Sequence, residues 1–206
     1  PRPRGRKHRK MTKTIVAQTM SLDGFIAAGD DDVWPLFGWY TAGDTDFRIP
    51  GVPRAFKVSK ASAALISQEW DAIGAIVTGR RDFDVSEAWG GVPPLGVPIF
   101  IVTHHPPEEW NQPDSPFTFV TDGVESAVAQ AKQAANGKNV SIGGSQIIQQ
   151  ALRAGLVDEI AIELAPILLG SGIRLFGDLD GKRIELTYTG LVEGTGVTHL
   201  RFRVLK

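Results

Sequence analysis

Residues 139–164 read "NVSIGGSQIIQQALRAGLVDEIAIEL", and this stretch decides the fold. A strand that ends at Ile142 is followed by two glycines, an amphipathic helix that stops at Gly155, and a second strand with alternating apolar residues. Gly143 and Gly144 stand where the first strand hands over to the helix, and a backbone without side chains lets a phosphate approach the amides that open a helix. A tight turn is the alternative explanation of the same pair.

Strand-like and helical runs alternate along the rest of the chain. Predicted strands cover residues 14–20, 71–79, 97–105 and 117–121. Predicted helices cover 54–70, a short segment from Asp82, and 123–136, for which Asp122 and Glu125 have the spacing of a capping box. The tail has the pattern of a hairpin with its turn near 194–196. We therefore predict one α/β domain over residues 11–206, with a mostly parallel central sheet covered on both faces that ends in an antiparallel C-terminal hairpin.

The composition narrows the class of protein. The chain has 206 residues, 42% of them hydrophobic, which suits one sizeable core. It contains no cysteine, which excludes disulfides and thiolate metal ligands, and we expect no metal site. Apolar runs fall short of the ~18 residues that a membrane span needs. We expect a soluble, cytoplasmic protein.

The first ten residues, "PRPRGRKHRK", hold six Lys or Arg and no acid, whereas acidic residues outnumber basic ones in the rest of the chain. We expect this extension to be a tag or an upstream remnant before Met11. A basic arm that grips nucleic acid is the alternative, although the rest of the chain carries no nucleic-acid motif.

Polar and glycine residues follow three of the predicted strands. Ligands of such sheets bind outside the carboxyl ends of the strands, so these positions are candidates for one site. A glycine turn with two guanidinium groups at a helix start suits a phosphate, although surface charge explains the same arginines. The candidate residues are Gly79, Arg80 and Arg81 after the first of these strands, Thr103 and His104 after the second, and Ile142, Gly143, Gly144 and Ser145 after the third.

The order of motifs resembles a known superfamily. The segments "TMSLDGFIAAGDDDVWPL", "IVTGRRDFD", "PIFIVTHH" and "VSIGGSQIIQQALRAGLVDEIAIELAPILLGSGIRLFG" are similar to those of the dihydrofolate reductase superfamily. The phrase "GLVDEIAIELAPILLGSGIRLF" is similar to the branch that contains the reductase domain of riboflavin biosynthesis. The resemblance covers nearly all of residues 11–206, and it implies the three-layer α/β/α dihydrofolate reductase-like fold.

The resemblance also implies a cofactor, NADPH. It assigns the cofactor phosphates to the turn at Gly79, Arg80 and Arg81, and the side of the adenosine 2′-phosphate to Thr103 and His104. The glycine pair, with its neighbours Ile142 and Ser145, would lie under the pyrophosphate and the nicotinamide ribose. Ala17 matches the segment beside the nicotinamide. Asp82 departs from the pattern, since relatives often have Thr there and a carboxylate does not favour a neighbouring phosphate.

The substrate side is less defined. The long segment 21–53 holds our candidate substrate contacts Asp23, Phe25 and Trp34, with Asp23 also the candidate catalytic residue. An Asx turn at Gly24 is the alternative for Asp23. The aromatic residues of this segment form either a lid over a planar substrate or a local hydrophobic plug. Glu163 either faces the site or is exposed.

The resemblance implies hydride transfer from NADPH to a C=N or C=O bond in a heterocyclic or sugar-like substrate, as in a pyrimidine reductase of the 5-amino-6-(5-phosphoribosylamino)uracil type. The helix predicted at 54–70 has no acid before Glu69, so the carboxylate that folate reductases hold there has no counterpart. A pteridine reductase and a non-catalytic nucleotide-binding relative remain as alternatives. Because the family commonly pairs through sheet edges and the region near "PILLGSG", we also expect a homodimer.

Overall fold

The computed structural model describes residues 11–49, 54–177 and 179–206. The strands are β1 (Thr14–Ser21), β2 (Phe25–Ala27), β3 (Thr45–Arg48), β4 (Ala55–Val58), β5 (Ile73–Gly79), β6 (Ile99–Val102), β7 (Phe117–Val120), β8 (Asn139–Ile142), β9 (Glu159–Ala165), β10 (Ile173–Arg174), β11 (Leu186–Gly194) and β12 (Val197–Val204). The α-helices are α1 (Lys60–Asp71), α2 (Arg80–Val85), α3 (Val124–Ala134) and α4 (Ser145–Arg153), and short 3-10 segments span Trp34–Thr41, Glu87–Gly91 and Pro94–Gly96. The basic extension 1–10 lies outside the described residues.

Eight strands form the central sheet, in the order β11-β12-β9-β1-β8-β5-β6-β7. The six strands from β9 to β7 are parallel, and β12 and β11 follow as an antiparallel hairpin. The predicted mixed sheet and its C-terminal hairpin are confirmed. Within the described part of the chain, no helix has the length and apolar character to cross a membrane.

Successive side chains of β1 point to opposite faces of the sheet, and a different layer of the molecule covers each face. Val16 is fully buried and belongs to the main core, in which α3 and α4 cover one face of the sheet. The side chains on the opposite face, such as Ala17, look toward α1 and a cavity. A second apolar cluster, which includes Trp39, Phe56 and Ile66, supports α1 and the β3–β4 hairpin on that side.

Two sequence predictions about helix starts are wrong. Residues 55–58 pair with β3 as strand β4, with Phe56 and Val58 buried alternately, so α1 begins only at Lys60. The Oγ of Ser59 accepts a hydrogen bond from the Ser62 amide and caps this helix. At α3, Gly123 is the N-cap residue and no side chain caps the helix, so the capping box predicted from Asp122 and Glu125 does not form.

Candidate functional site

The carboxyl ends of β5, β6 and β8 lie side by side. Val77 of β5 is opposite Ile142 of β8, and Gly79 is opposite Val102 of β6. The Gly143 amide donates to the Val77 carbonyl over 2.9 Å, which continues the pairing beyond β8. The structure therefore brings together the three groups of residues that the sequence placed at strand ends.

Close approach to β5 explains the glycine pair. A Cβ on Gly144 would lie 3.3 Å from the Thr78 Oγ1 and 3.5 Å from the Gly79 amide nitrogen. Gly144 has a φ of +76°, a conformation that favours glycine, and it is the residue from which α4 starts. A Cβ on Gly143 would be 3.4 Å from the same hydroxyl. The turn thus leaves bare backbone at the amino end of α4, beside the start of α2.

Two arginines open α2 next to this turn. The Arg80 Nε donates to Asp84 over 2.7 Å, and its Nη1 donates to the His105 carbonyl over 2.6 Å. Arg81 reaches in another direction and donates to both carboxylate oxygens of Asp31 over 2.7 Å. Both guanidinium groups are partly exposed and already paired with acids, so an incoming anion would compete with carboxylates for them.

Asp82 lies beneath the glycine pair. Its Oδ2 accepts a hydrogen bond from the Thr78 Oγ1 over 2.7 Å, and a Cβ on Gly143 would be 3.7 Å from the same oxygen. Burial raises the pKa of this half-buried carboxyl, and the Thr78 hydroxyl opposes that shift. The residue that departs from the family pattern is therefore part of the junction itself.

Three of the other predicted cofactor residues have side chains that make contacts within the protein, and a fourth is exposed. The Thr103 hydroxyl accepts from the His105 amide over 3.2 Å in a local turn, while His104 is exposed. Ile142 is fully buried in the main core, so only its backbone faces the junction. The Ser145 hydroxyl donates to the Arg174 carbonyl and ties α4 to β10.

Asp23 joins two loops. Its carboxylate accepts from the Ser21 hydroxyl over 2.6 Å, the Leu169 amide over 3.1 Å and the Gly170 amide over 2.7 Å. The Ser21 hydroxyl and these amides lower the pKa of the Asp23 carboxyl. This set of bonds is a structural reason for an acid at position 23, and a contact with substrate stays a prediction.

Like Asp23, the other two predicted substrate contacts do not line the cavity between α1 and the sheet. Phe25 is buried, with the Arg174 guanidinium 4.4 Å from the centre of its ring. Trp34 is 59% exposed, and the Arg54 guanidinium lies 5.5 Å from its ring.

A cavity of about 560 Å³ lies between α1 and the sheet face that carries Ala17. This is an ordinary volume for a small-molecule site. Phe37, Trp39 and Tyr40 of the first 3-10 segment form an aromatic wall, with the Trp39 and Tyr40 rings stacked 4.2 Å apart. These aromatic residues are packed as a plug and also face the cavity. Ala17 is the predicted cofactor residue that forms part of the wall.

The cavity floor is charged. Glu163 of β9 is only 7% exposed, and its Oε1 accepts from the Arg201 Nη2 over 2.8 Å. Arg201 also donates two hydrogen bonds to Glu69 of α1. Burial alone lowers the pKa of Arg201, but hydrogen bonds to Glu69 and the charge of Glu163 raise it overall. Burial, and then the charge of Glu163, raise the pKa of the Tyr40 hydroxyl.

Behind Glu163 lies a fully buried histidine. The Glu163 Oε2 is hydrogen-bonded to His199 Nδ1, and His199 Nε2 is 2.8 Å from the Ser62 Oγ. Sequence reasoning left the direction of Glu163 open and missed His199 and Arg201. The signal that could have found them is the two-residue spacing of His199 and Arg201, which places both on one face of a strand that pairs with β9.

A model of the RibD C-terminal domain matches residues 12–200. The chain belongs to this family.

Two Bacillus subtilis (strain 168) proteins are similar to this RibD C-terminal domain. YwjB is 26% identical over 171 residues, which cover 82% of this chain and 86% of YwjB. YyaP is 27% identical over 181 residues, which cover 86% of each chain.

Solved structures show the fold of the RibD C-terminal domain. A protein from Shewanella sp. PV-4 that is named for riboflavin biosynthesis superposes with a TM-score of 0.72 at 23% identity, over 95% of this chain and 100% of its own. The diaminohydroxyphosphoribosylaminopyrimidine deaminase/5-amino-6-(5-phosphoribosylamino)uracil reductase of Thermotoga maritima gives 0.62 at 14% identity, over 96% of this chain and 58% of its own. Dihydrofolate reductase from Enterococcus faecalis gives 0.54 at 15% identity, over 95% and 98%. The predicted dihydrofolate reductase-like fold is confirmed.

Proposed function

We propose that this chain is an NADPH-dependent reductase that transfers hydride to a small heterocyclic substrate, of the type on which a 5-amino-6-(5-phosphoribosylamino)uracil reductase acts. The observation that carries the proposal is the junction of Gly79 with Gly143 and Gly144. There, bare backbone and the amino ends of α2 and α4 meet at the carboxyl ends of parallel strands. Such an edge suits the phosphates of a dinucleotide.

The residues at the junction fit a dinucleotide in shape. The glycine turn would hold the pyrophosphate, because any side chain at Gly144 would crowd the Thr78 hydroxyl and occupy the surface over which the phosphates lie. Arg80 and Arg81 would pair with phosphate oxygens, and Ala17 would lie beside the nicotinamide. When bound, the reduced nicotinamide supplies the hydride, and the chain supplies orientation and exclusion of water.

The cavity beside Ala17 would receive the substrate. Its aromatic wall suits a flat ring, and its acidic floor suits a ring with hydrogen-bond donors. The family and the fold neighbours support a reductase. The assignment of an aminopyrimidine as its substrate is part of our proposal.

The first experiment is a titration of the intact protein with NADPH and, separately, with NADH, followed by tryptophan fluorescence. We expect NADPH to bind more tightly than NADH. Arg80→Ala should weaken NADPH binding by about 10- to 150-fold, the effect of losing about 1.5–3 kcal/mol from a charged hydrogen bond. Gly144→Val should abolish the binding.

Matched variants control for charge and backbone strain. Arg183 is exposed and belongs to none of the predicted site residues, so Arg183→Ala should bind NADPH normally. Gly155 shares the positive φ of Gly144 but has open space around it, so Gly155→Val reproduces the strain without filling the junction. If the unsubstituted protein binds neither dinucleotide, the reductase proposal is wrong.

A further inference from the structure

A row of hydrogen-bonded side chains runs from the cavity floor into the protein. Glu163 lies at the cavity end, His199 follows it, and Ser62 and Ser59 of the α1 amino end complete the row. Glu163 and His199 are direct cross-strand partners on β9 and β12, so their side chains meet on one face of the sheet.

The order serine, histidine, glutamate is that of a hydrolase triad, but the serine is at the wrong end of the row. Ser62 is 1% exposed and does not belong to the cavity wall. A Cβ on Gly194 would come within 2.3 Å of the Ser62 Oγ and 3.1 Å of the His199 Nε2, so the backbone of β11 covers both atoms. Since no substrate can reach Ser62, the end of the row that meets a ligand is Glu163.

His199 can exist in either protonation state without losing a partner. When it is neutral and donates from Nδ1 to Glu163, the Ser62 hydroxyl can donate to Nε2. When it is protonated, Nε2 donates to the Ser62 Oγ, and that hydroxyl can turn its own proton toward the Ser59 Oγ, 2.9 Å away. The Ser62 hydroxyl can therefore either accept from Nε2 or donate to it.

The charged groups around Glu163 and His199 leave the cavity floor with more negative than positive charge. Arg201 balances Glu163 but is shared with Glu69, and Glu159, farther along β9, is paired with Lys13. Tyr40 adds a hydroxyl that remains protonated. With His199 neutral, the group formed by Glu69, Glu163 and Arg201 carries a net charge of about −1, which either a proton on His199 or a positive ligand would neutralise.

We propose that Glu163 and His199 hold one exchangeable proton at the cavity floor, with Glu163 passing it to or from the ligand and His199 acting as its positioning residue. This inference rests on the proposed reductase function, because hydride addition breaks a C=N or C=O π bond and leaves the heteroatom to take up a proton. The Nδ1 proton of His199 passes through Glu163 to the heteroatom, and His199 becomes neutral with its remaining proton on Nε2, which donates to the Ser62 hydroxyl.

Benzamidine is the probe for this proton, because it is flat, fits an aromatic-walled cavity and keeps its amidinium charge near neutral pH. Each carboxylate oxygen of Glu163 accepts from one protein donor, and a carboxylate oxygen can accept a second hydrogen bond. We expect isothermal titration calorimetry in two buffers of different ionisation enthalpy to show proton release when benzamidine binds. Because binding releases a proton, the affinity for benzamidine should rise as the pH rises.

Three variants separate positioning from simple packing. Glu163→Gln should lose both the affinity and the proton release. His199→Gln keeps an amide donor toward Glu163 but cannot titrate, so it should still bind benzamidine and lose the pH dependence. Glu163→Asp should recover part of the proton release. Nitrogen-15 spectra of the imidazole should show His199 losing its proton as benzamidine binds, and circular dichroism should show that each variant is folded.

The outcomes decide the proposal without reference to NADPH. No binding of benzamidine at millimolar concentration, equal affinity in Glu163→Gln, or a pH dependence that persists in His199→Gln would each overturn it. Because no dinucleotide is present, failure of the cofactor titration leaves this result interpretable, and the reverse also holds.

Discussion

Asp82 combines two conflicting requirements within one side chain. It opens α2 together with Arg80 and Arg81, where an acid favours the helix, and it accepts a hydrogen bond from Thr78. It also places a carboxyl under the glycine pair, where we propose that phosphates bind. Burial raises its pKa, so the folded protein resists the ionisation that the unfolded chain undergoes freely.

We therefore expect Asp82→Asn to stabilise the protein at neutral pH. Below the ordinary carboxyl pKa of 3.8, both states of the chain carry a protonated Asp82 and the substitution changes little. As pH rises from that value through the higher folded pKa, the unsubstituted protein loses stability that the amide variant keeps. Thermal melts from about pH 3 to 8 should show a difference of a few degrees that opens with pH. A constant difference would contradict this account, and Asp71→Asn, at an exposed position, is the control.

Asp31 competes with the cofactor in our proposal. Its carboxylate occupies Arg81, a residue that we assign to the cofactor phosphates. An exposed ion pair contributes about 0.2–1 kcal/mol, so Asp31→Ala should tighten NADPH binding by about 1.4- to fivefold. Fluorescence titration at low salt measures the change. Asp44→Ala removes an exposed acid that accepts a hydrogen bond from its neighbour Thr45, and should leave the affinity unchanged. Weaker binding by Asp31→Ala would show that Arg81 needs its carboxylate partner.

At the scale of elements, α1 depends on its first turn. Ser59 caps the helix and also reaches the Ser62 hydroxyl, so one side chain ties the helix start to the buried row behind the cavity. Ser59→Ala should lower the free energy of unfolding by about 1 kcal/mol or more, the usual effect of losing an N-cap. Urea denaturation measures it, with the exposed Ser67→Ala of the same helix as the matched control. Equal midpoints for the two variants would refute a capping role.

The elements show what sequence can and cannot predict here. The strand–glycine–helix pattern at 139–164 predicted β8, α4 and β9 because apolar periodicity and glycine punctuation are local signals. The start of α1 was wrong because β4 has only four residues, and its Phe56 and Val58 fit an apolar helix stripe as well as a strand face. Short strands take their identity from the partner strand, which a local window does not contain.

Local sequence patterns could not predict the cavity floor, for a related reason. Glu163 meets His199 through the register of β9 with β12, and Ser62 reaches the same histidine from a helix 137 positions away. The three residues share no local pattern, so only the assembled sheet and helix identify them as one group. The strand-end residues were predictable because parallel strands deliver their carboxyl ends to one edge whatever their order.

At the scale of the whole molecule, β11 is an open edge of the sheet. It pairs with β12 on one side, and three of its apolar side chains are well exposed: Leu186 at 43%, Tyr188 at 57% and Leu191 at 47%. An edge with unpaired backbone groups and apolar side chains is a template for pairing with another chain. We propose that a second copy covers it, in agreement with the homodimer that the family resemblance implies.

Sedimentation velocity at micromolar concentration should therefore find a dimer. A charge at the centre of the edge would be buried without a partner in that dimer, so Tyr188→Asp should shift the protein to a monomer. Val92→Asp places the same charge at a similarly exposed apolar site on a loop and should leave the dimer intact. A monomeric unsubstituted protein, or a dimeric Tyr188→Asp variant, would show that this edge is not the interface.

The benzamidine affinity of Tyr188→Asp then tests whether dimerisation matters to the cavity, because Thr189 and Gly190 of the same strand belong to the cavity wall. If pairing holds β11 in place, the monomeric variant should bind benzamidine more weakly while keeping its proton release.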